Sequence, residues 1–329
     1  MKMRRAAAAL ILAAAMALQV GSVAWAKGLT LSKPKTETSQ QTEKESSKEA
    51  KDKKEAEEKE SYWVSQLSDT EKKVYEQLLA GLQEGKSSIS VTLGKTTAES
   101  RKALFNKLLT LIAKQHPEFY WLENSQSVSW RITSKESTMT FKPAYHAGYG
   151  QAEVKKKNAS LGKLVDGLKE DLPKSDSAKV KYIYDWVLER SDYDWDEFNS
   201  FNRTGAPSKN DDYSVVGILL NKTGVCQGYA ESFQYLCDQL GVECITVDGI
   251  GNYGNGNMAH AWNYVKVDGN WYLVDTTWGD TFTGGKDKFA LLGSESLVKP
   301  GVTVGKAYTP EKNGYFTYPE LSKKAYSAK

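Results

Sequence analysis

Hydrophobic and polar positions divide the 329-residue chain into stretches of different character. Ala6 to Val20 is an apolar, Ala-rich run behind Lys2, Arg4 and Arg5, and Ala24-Trp25-Ala26 offers a small-x-small cleavage site. The run is short for a membrane span, so residues 1–26 are expected to be a cleaved signal peptide and the mature chain to be secreted, extracellular or at the cell surface. Residues 27–60 are nearly all Lys, Glu, Ser, Thr, Gln and Asp. Such a segment cannot bury enough apolar surface to offset its ordering entropy, and a disordered charged linker is expected there.

Periodic patterning begins near Ser61. Ser68-Asp69-Thr70-Glu71 fits a capping box, and Tyr75, Leu78, Leu79 and Leu82 follow at helical spacing up to Gly85. A second helix is predicted from Thr96-Thr97-Ala98-Glu99 through Leu104, Leu108, Leu111 and Ile112, ending before Pro117. Residues 128–132 and 138–142 alternate as two strands around a polar turn. These elements predict a small α+β module over 61–150, followed by a larger domain over 151–329.

In the larger domain, helices are expected over 151–172 and 176–190, then a polar, irregular stretch over 191–214. A short apolar segment, 215–220, leads to Gly224, and a helix is predicted from Cys226 to about Leu240. Ala230, Phe233, Cys237 and Leu240 share one face of that helix with Cys226. Residues 260–267 and 270–277 are β-rich runs joined by Asp268-Gly269, a two-residue hairpin signal. With that turn, Val267 pairs with Asn270, and His260 falls opposite Thr277 with Asp275 diagonal to it on the same face. A one-residue slip would separate His260 and Asp275 onto opposite faces.

Composition narrows the function classes. The net charge is +3, from 44 basic and 41 acidic residues, so no nucleic acid or anionic membrane is called for. Aromatics make up 11% of the chain, with 18 Tyr and 9 Trp, which suits an aromatic-lined cleft or an ordinary exported domain. Three cysteines in an oxidising compartment leave one thiol over. Cys237 and Cys244 could pair if the helix end and the next strand approach closely; otherwise they are small core residues. His116 and His146 have no Cys or carboxylate at ligand spacing. Asp192, Asp194 and Asp196 alternate as in a calcium loop, but Glu197 stands where the turn Gly belongs and Arg203 where the bidentate Glu belongs. No metal or cofactor is expected.

The candidate chemistry lies in three residues. A free Cys is usually a small buried hydrophobe, and a single His or Asp in a strand is usually structural. Their joint placement carries more. Cys226 stands at a helix N-terminus, where unpaired N–H groups and the dipole favour negative charge on sulfur or on an oxyanion. His260 is placed as a base, and Asp275 as the carboxylate that fixes its tautomer. Tyr193 and Trp195 are candidates for a second oxyanion donor, while Gln227, Trp262 and Trp278 are expected to shape the cleft.

Gly224-Val225-Cys226-Gln227-Gly228-Tyr229-Ala230, then His260-Ala261-Trp262-Asn263, then Asp268 to Trp278 resemble the three blocks of the transglutaminase-like superfamily, and of its bacterial exported branch in particular. The resemblance covers about 175–295. It implies a papain-like core, with a nucleophile helix packed on an antiparallel sheet, and a Cys226–His260–Asp275 triad acting on protein or peptide amides through a thioester. An amine acceptor would make the chain a transglutaminase, and water a cysteine protease or amidase. A non-catalytic surface-binding module is the alternative outside enzymes. The expected partner is a protein or peptide substrate, with cell-wall material as a candidate setting.

Overall fold

The computed structural model describes residues 61–123, 126–254 and 256–327. The signal peptide and linker expected over 1–60 lie outside these residues. The described chain divides into two compact units, one made of 61–108 and 127–142, the other of 109–126 and 143–327.

The smaller unit is built on α1 (Asp69–Gln83). Ser68 accepts from the Glu71 backbone while the Glu71 side chain accepts from the Ser68 backbone, so the capping box is complete. Val74, Tyr75, Leu78 and Leu82 bury one face of α1. Beside it, β2 (Val128–Ile132) and β3 (Glu136–Phe141) form the expected hairpin, and β1 (Ile89–Gly94) pairs with the other edge of β3 in an antiparallel sheet of order β1-β3-β2. Strand β1 was not expected, although Ile89, Val91 and Leu93 alternate inward with the period of a half-buried strand. The first half of α2 (Ala98–Gln115) supplies Phe105, which meets Phe141 edge-on at 5.7 Å between ring centroids.

The larger unit carries α3 (Gln151–Lys169) and α4 (Asp176–Leu188), near their expected bounds. The 191–214 stretch, expected to be irregular, is structured. It holds β4 (Asp192–Tyr193), α5 (Trp195–Thr204) and a 3-10 turn over Asn210–Tyr213. The alternating aspartates have separate local tasks. Asp192 pairs in β4, Asp194 caps α5 by accepting from the Glu197 N–H at 2.8 Å, and Asp196 lies in the first turn of α5. Among the described residues no group of three or more His, Cys, Asp or Glu is placed to hold a metal ion.

After a single π-turn at Gly217–Asn221, β5 (Thr223–Gly224) runs parallel to β4 and delivers the chain into α6 (Cys226–Gln239). This helix lies on β6 (Cys244–Gly251) and β7 (Met258–Val267). Its Ala230 carbonyl accepts from Asn263 Nδ2 at 2.9 Å, and Gln234 Oε1 accepts from the Thr246 N–H at 2.6 Å. The sheet continues through β8 (Asn270–Val274), and its far edge is β11 (Tyr308–Pro310), giving the antiparallel order β11-β6-β7-β8. Between them in sequence, β9 (Leu297–Lys299) and β10 (Val302–Thr303) make a separate ribbon. Asp268 and Gly269 both have positive φ, as a type I′ hairpin turn requires, and Val267 pairs with Asn270 as the spacing predicts.

The entry to α6 is tightly enclosed. The Val225 N–H donates to the Asp212 carbonyl at 2.9 Å, and a Cβ at Gly228 would stand 2.4 Å from that same oxygen. Gly228→Ala is therefore expected to push the Asn210–Tyr213 turn off the helix and to cost about 2–3 kcal/mol, measurable as a lower urea midpoint. Wild-type stability in that variant would show that the turn yields without cost.

Candidate active site

Cys226 is the first residue of α6 and is half-exposed. Its N-cap is Val225, which has no side-chain oxygen to offer, and the Cys226 backbone N–H donates to the Tyr193 phenol. The sulfur thus sits beside backbone donors held at a helix end.

His260 lies in β7, paired with Gly249 of β6, and is only 5% exposed. Its ring stacks on Trp278, with centroids 4.7 Å apart and planes 14° apart, and Trp262 lies on a further stack at 5.9 Å. The neighbouring glycine makes this possible. A Cβ at Gly251 would stand 2.8 Å from the Trp278 ring and 3.1 Å from the His260 Cβ.

Asp275 is fully buried, and its Oδ2 lies 2.7 Å from His260 Nε2. The route to that contact differs from the sequence expectation. The hairpin register is as predicted, with Asn263 opposite Val274, but β8 stops at Val274. Thr277 therefore does not face His260 across a ladder. Asp275 instead leaves the sheet and caps α7 (Thr276–Thr281), accepting from the Trp278 N–H at 2.9 Å through Oδ1, while its own N–H donates to the Phe289 carbonyl at 2.8 Å. A capping aspartate is locally rigid, so the carboxylate meets His260 from a fixed turn.

Burial pushes the His260 imidazole toward the neutral form. The charge of Asp275 and its hydrogen bond outweigh this, and interaction with the Cys226 thiol adds to them, so the ring holds its proton up to about 10. With Nε2 engaged by Asp275, Nδ1 is the ring nitrogen open to Cys226. The three residues picked out by sequence are thus gathered in one place.

Tyr308 was not foreseen. Its hydroxyl donates to Asp275 Oδ2 at 2.8 Å, and its ring lies 4.7 Å from Trp278 and 5.0 Å from Trp262. Of the two proposed oxyanion donors, Tyr193 stands beside Cys226. Burial first, and then the neighbouring Cys226 and Tyr213, raise its phenol against the opposing hydrogen bond from the Cys226 N–H. Trp195 is 56% exposed and its ring lies tilted against Tyr193, with centroids 4.7 Å apart. Gln227 donates to Glu231 Oε1 at 2.9 Å. Cys237 and Cys244 are buried and unbridged, and all three cysteines are free.

A buried His–Asp pair meeting a half-exposed Cys at a helix N-terminus, on an α+β core, defines a transglutaminase-like cysteine site. Residues 164–276 match the profile of the transglutaminase-like superfamily, so this segment is transglutaminase-like. It is similar to kyphoscoliosis peptidase of Mus musculus, with 30% identity over 190 residues, covering 54% of this chain and 27% of the mouse protein. The Homo sapiens protein of that name is 30% identical over 178 residues, covering 50% of this chain and 25% of its own. The chain thus spans about a quarter of the length of the curated relatives it matches. Among solved structures, one described as a TGase aligns with 16% identity and a TM-score of 0.35, over 60% of this chain and 52% of that one.

Proposed function

We propose that this chain is an exported cysteine acyl-transfer enzyme acting on protein or peptide amides, with Cys226 as nucleophile, His260 as acid and base, and Asp275 as the group that orients and charges the imidazole. The observation that carries the reading is the 2.7 Å His260–Asp275 contact, buried beside a half-exposed Cys226. The Cys226 sulfur bonds to the amide carbon, and the first-turn N–H groups of α6 receive the oxyanion. As the C–N bond breaks, His260 Nδ1 gives its proton to the departing amine, leaving a thioester. The acceptor then attacks the same carbon, its proton passes to Nδ1, and the C–S bond breaks.

The acceptor divides two enzymes. The peptidase named in the mouse and human relatives favours water, while the same residues can transfer the acyl group to an amine. Residues 27–329, incubated with a glutamine-rich protein and a labelled primary amine, separate them by mass spectrometry. Amine adducts identify a transglutaminase, and cleaved or deamidated products without adducts identify a hydrolase. Turnover that survives unchanged in Cys226→Ala would refute both. We further place the enzyme outside the cell on the pattern of residues 1–26, with a protein or peptide as its substrate.

A further inference from the structure

We propose that Tyr308 is a positioning residue of this site, one that shares the Asp275 carboxylate with His260 and sets how firmly that carboxylate holds the imidazole. This inference rests on the triad reading above and adds to it a residue from β11, outside the 164–276 segment that matches the superfamily.

The geometry is specific. Asp275 Oδ2 accepts both the Tyr308 hydroxyl at 2.8 Å and His260 Nε2 at 2.7 Å, while Oδ1 accepts the Trp278 N–H at 2.9 Å. Tyr308 is 4% exposed, and it reaches the carboxylate because β11 pairs with β6, with Tyr308 opposite Gly251. A side chain at Gly251 would meet the Trp278 ring and His260, so the glycine leaves room for them to gather there.

A buried carboxylate that accepts several hydrogen bonds is stabilised as an anion, and each donor draws some charge from the others. Tyr308 therefore has two effects. It fixes which lone pair of Oδ2 faces Nε2, and so the ring orientation that turns Nδ1 to Cys226. It also tempers the hold of Asp275 on the imidazolium, which must release a proton to the leaving amine in every cycle. The groups acting on His260 or on its carboxylate include Asp275 at the N-cap of α7, the Trp278 N–H, Cys226 on α6, Tyr308 on β11 and Tyr184 on α4. Tyr253, before β7, acts on Tyr308. Burial and the Asp275 charge hold the Tyr308 phenol protonated well beyond its ordinary range, so it remains a donor wherever His260 titrates.

Tyr308→Phe removes the hydroxyl and keeps the ring between Trp262 and Trp278. Two readouts test it. Imidazole NMR of the full variant should show His260 losing its proton at a pH higher by roughly half a unit to one unit, whether or not a substrate is known. Turnover of an amide substrate should fall by about tenfold in kcat with KM nearly unchanged, whereas a nitrophenyl ester, whose leaving group needs no proton, should lose far less. An unmoved His260 titration, or equal losses on amide and ester, would reduce Tyr308 to a packing residue and overturn the inference. Should the titration move in a chain that never acylates Cys226, the proposed function fails while the role of Tyr308 in the His–Asp pair stands.

Discussion

Cys226→Ala should lose activity by on the order of 10⁵- to 10⁶-fold, with almost no change in stability. The loss is large because no other group can form the thioester. Cys237 and Cys244 are buried at the opposite end of α6 and the start of β6, where a substrate carbonyl cannot reach. The fold should be indifferent, since Cys226 is half-exposed at a helix end whose entry is fixed by the Val225–Asp212 hydrogen bond. Urea denaturation and single-turnover kinetics on the same preparation check both halves. Residual activity within tenfold of wild type would remove Cys226 from the mechanism.

Asp275→Asn is expected to reduce kcat by about 10³- to 10⁴-fold, for a different reason. The amide keeps the shape of the carboxylate, and its carbonyl oxygen can still cap Trp278, but the charge that holds His260 is gone. An NH₂ facing Nε2 would also force the wrong tautomer, with the proton on Nδ1 and none to take from an acceptor. The same substitution changes pH dependence. The folded chain holds the His260 proton up to about 10, against 6.5 for a free imidazole. That raised affinity contributes stability which is fully present below about 6.5 and disappears as pH rises through the folded value. In Asp275→Asn the contribution should be absent, and burial should now leave the imidazole neutral at pH 7. Thermal melts between pH 6 and 10 would show wild type losing stability across that range more steeply than the variant. Parallel slopes would mean that the His–Asp pair does not carry the coupling.

What the sequence discloses about this site follows the range of the interactions. The Asp268-Gly269 turn sets a register by local geometry, and that register is present residue for residue from Asn263–Val274 to Val267–Asn270. Cys226 at a helix start is equally local. The strand expected through Thr277 failed because Thr276 and Thr277 are β-branched and read as strand, while Asp275 followed by Trp278 three residues on is also a helix cap. Tertiary packing chose the cap, and it brought Asp275 to His260 by a turn and not by a ladder. The helix over Trp195–Thr204 was hidden by its polar composition, with Phe198 and Phe201 too few to show a period. Strand β1 alternates legibly at Ile89, Val91 and Leu93 but is bracketed by Ser and Thr, as a loop would be. Tyr308 had no local signal. Its partner is 33 positions away in sequence, and only the pairing of β11 with β6 joins them.

Acyl groups that pass through the Cys226 sulfur must leave a thioester there, and that intermediate can be caught. An activated acyl donor such as a nitrophenyl ester would be mixed with residues 27–329, quenched in acid within the first turnover and digested for mass spectrometry. The acyl mass is expected on the peptide containing Cys226, lost on treatment with hydroxylamine and absent in Cys226→Ala. Turnover that proceeds with no acyl group on Cys226, or an acyl group found on another residue, would contradict it.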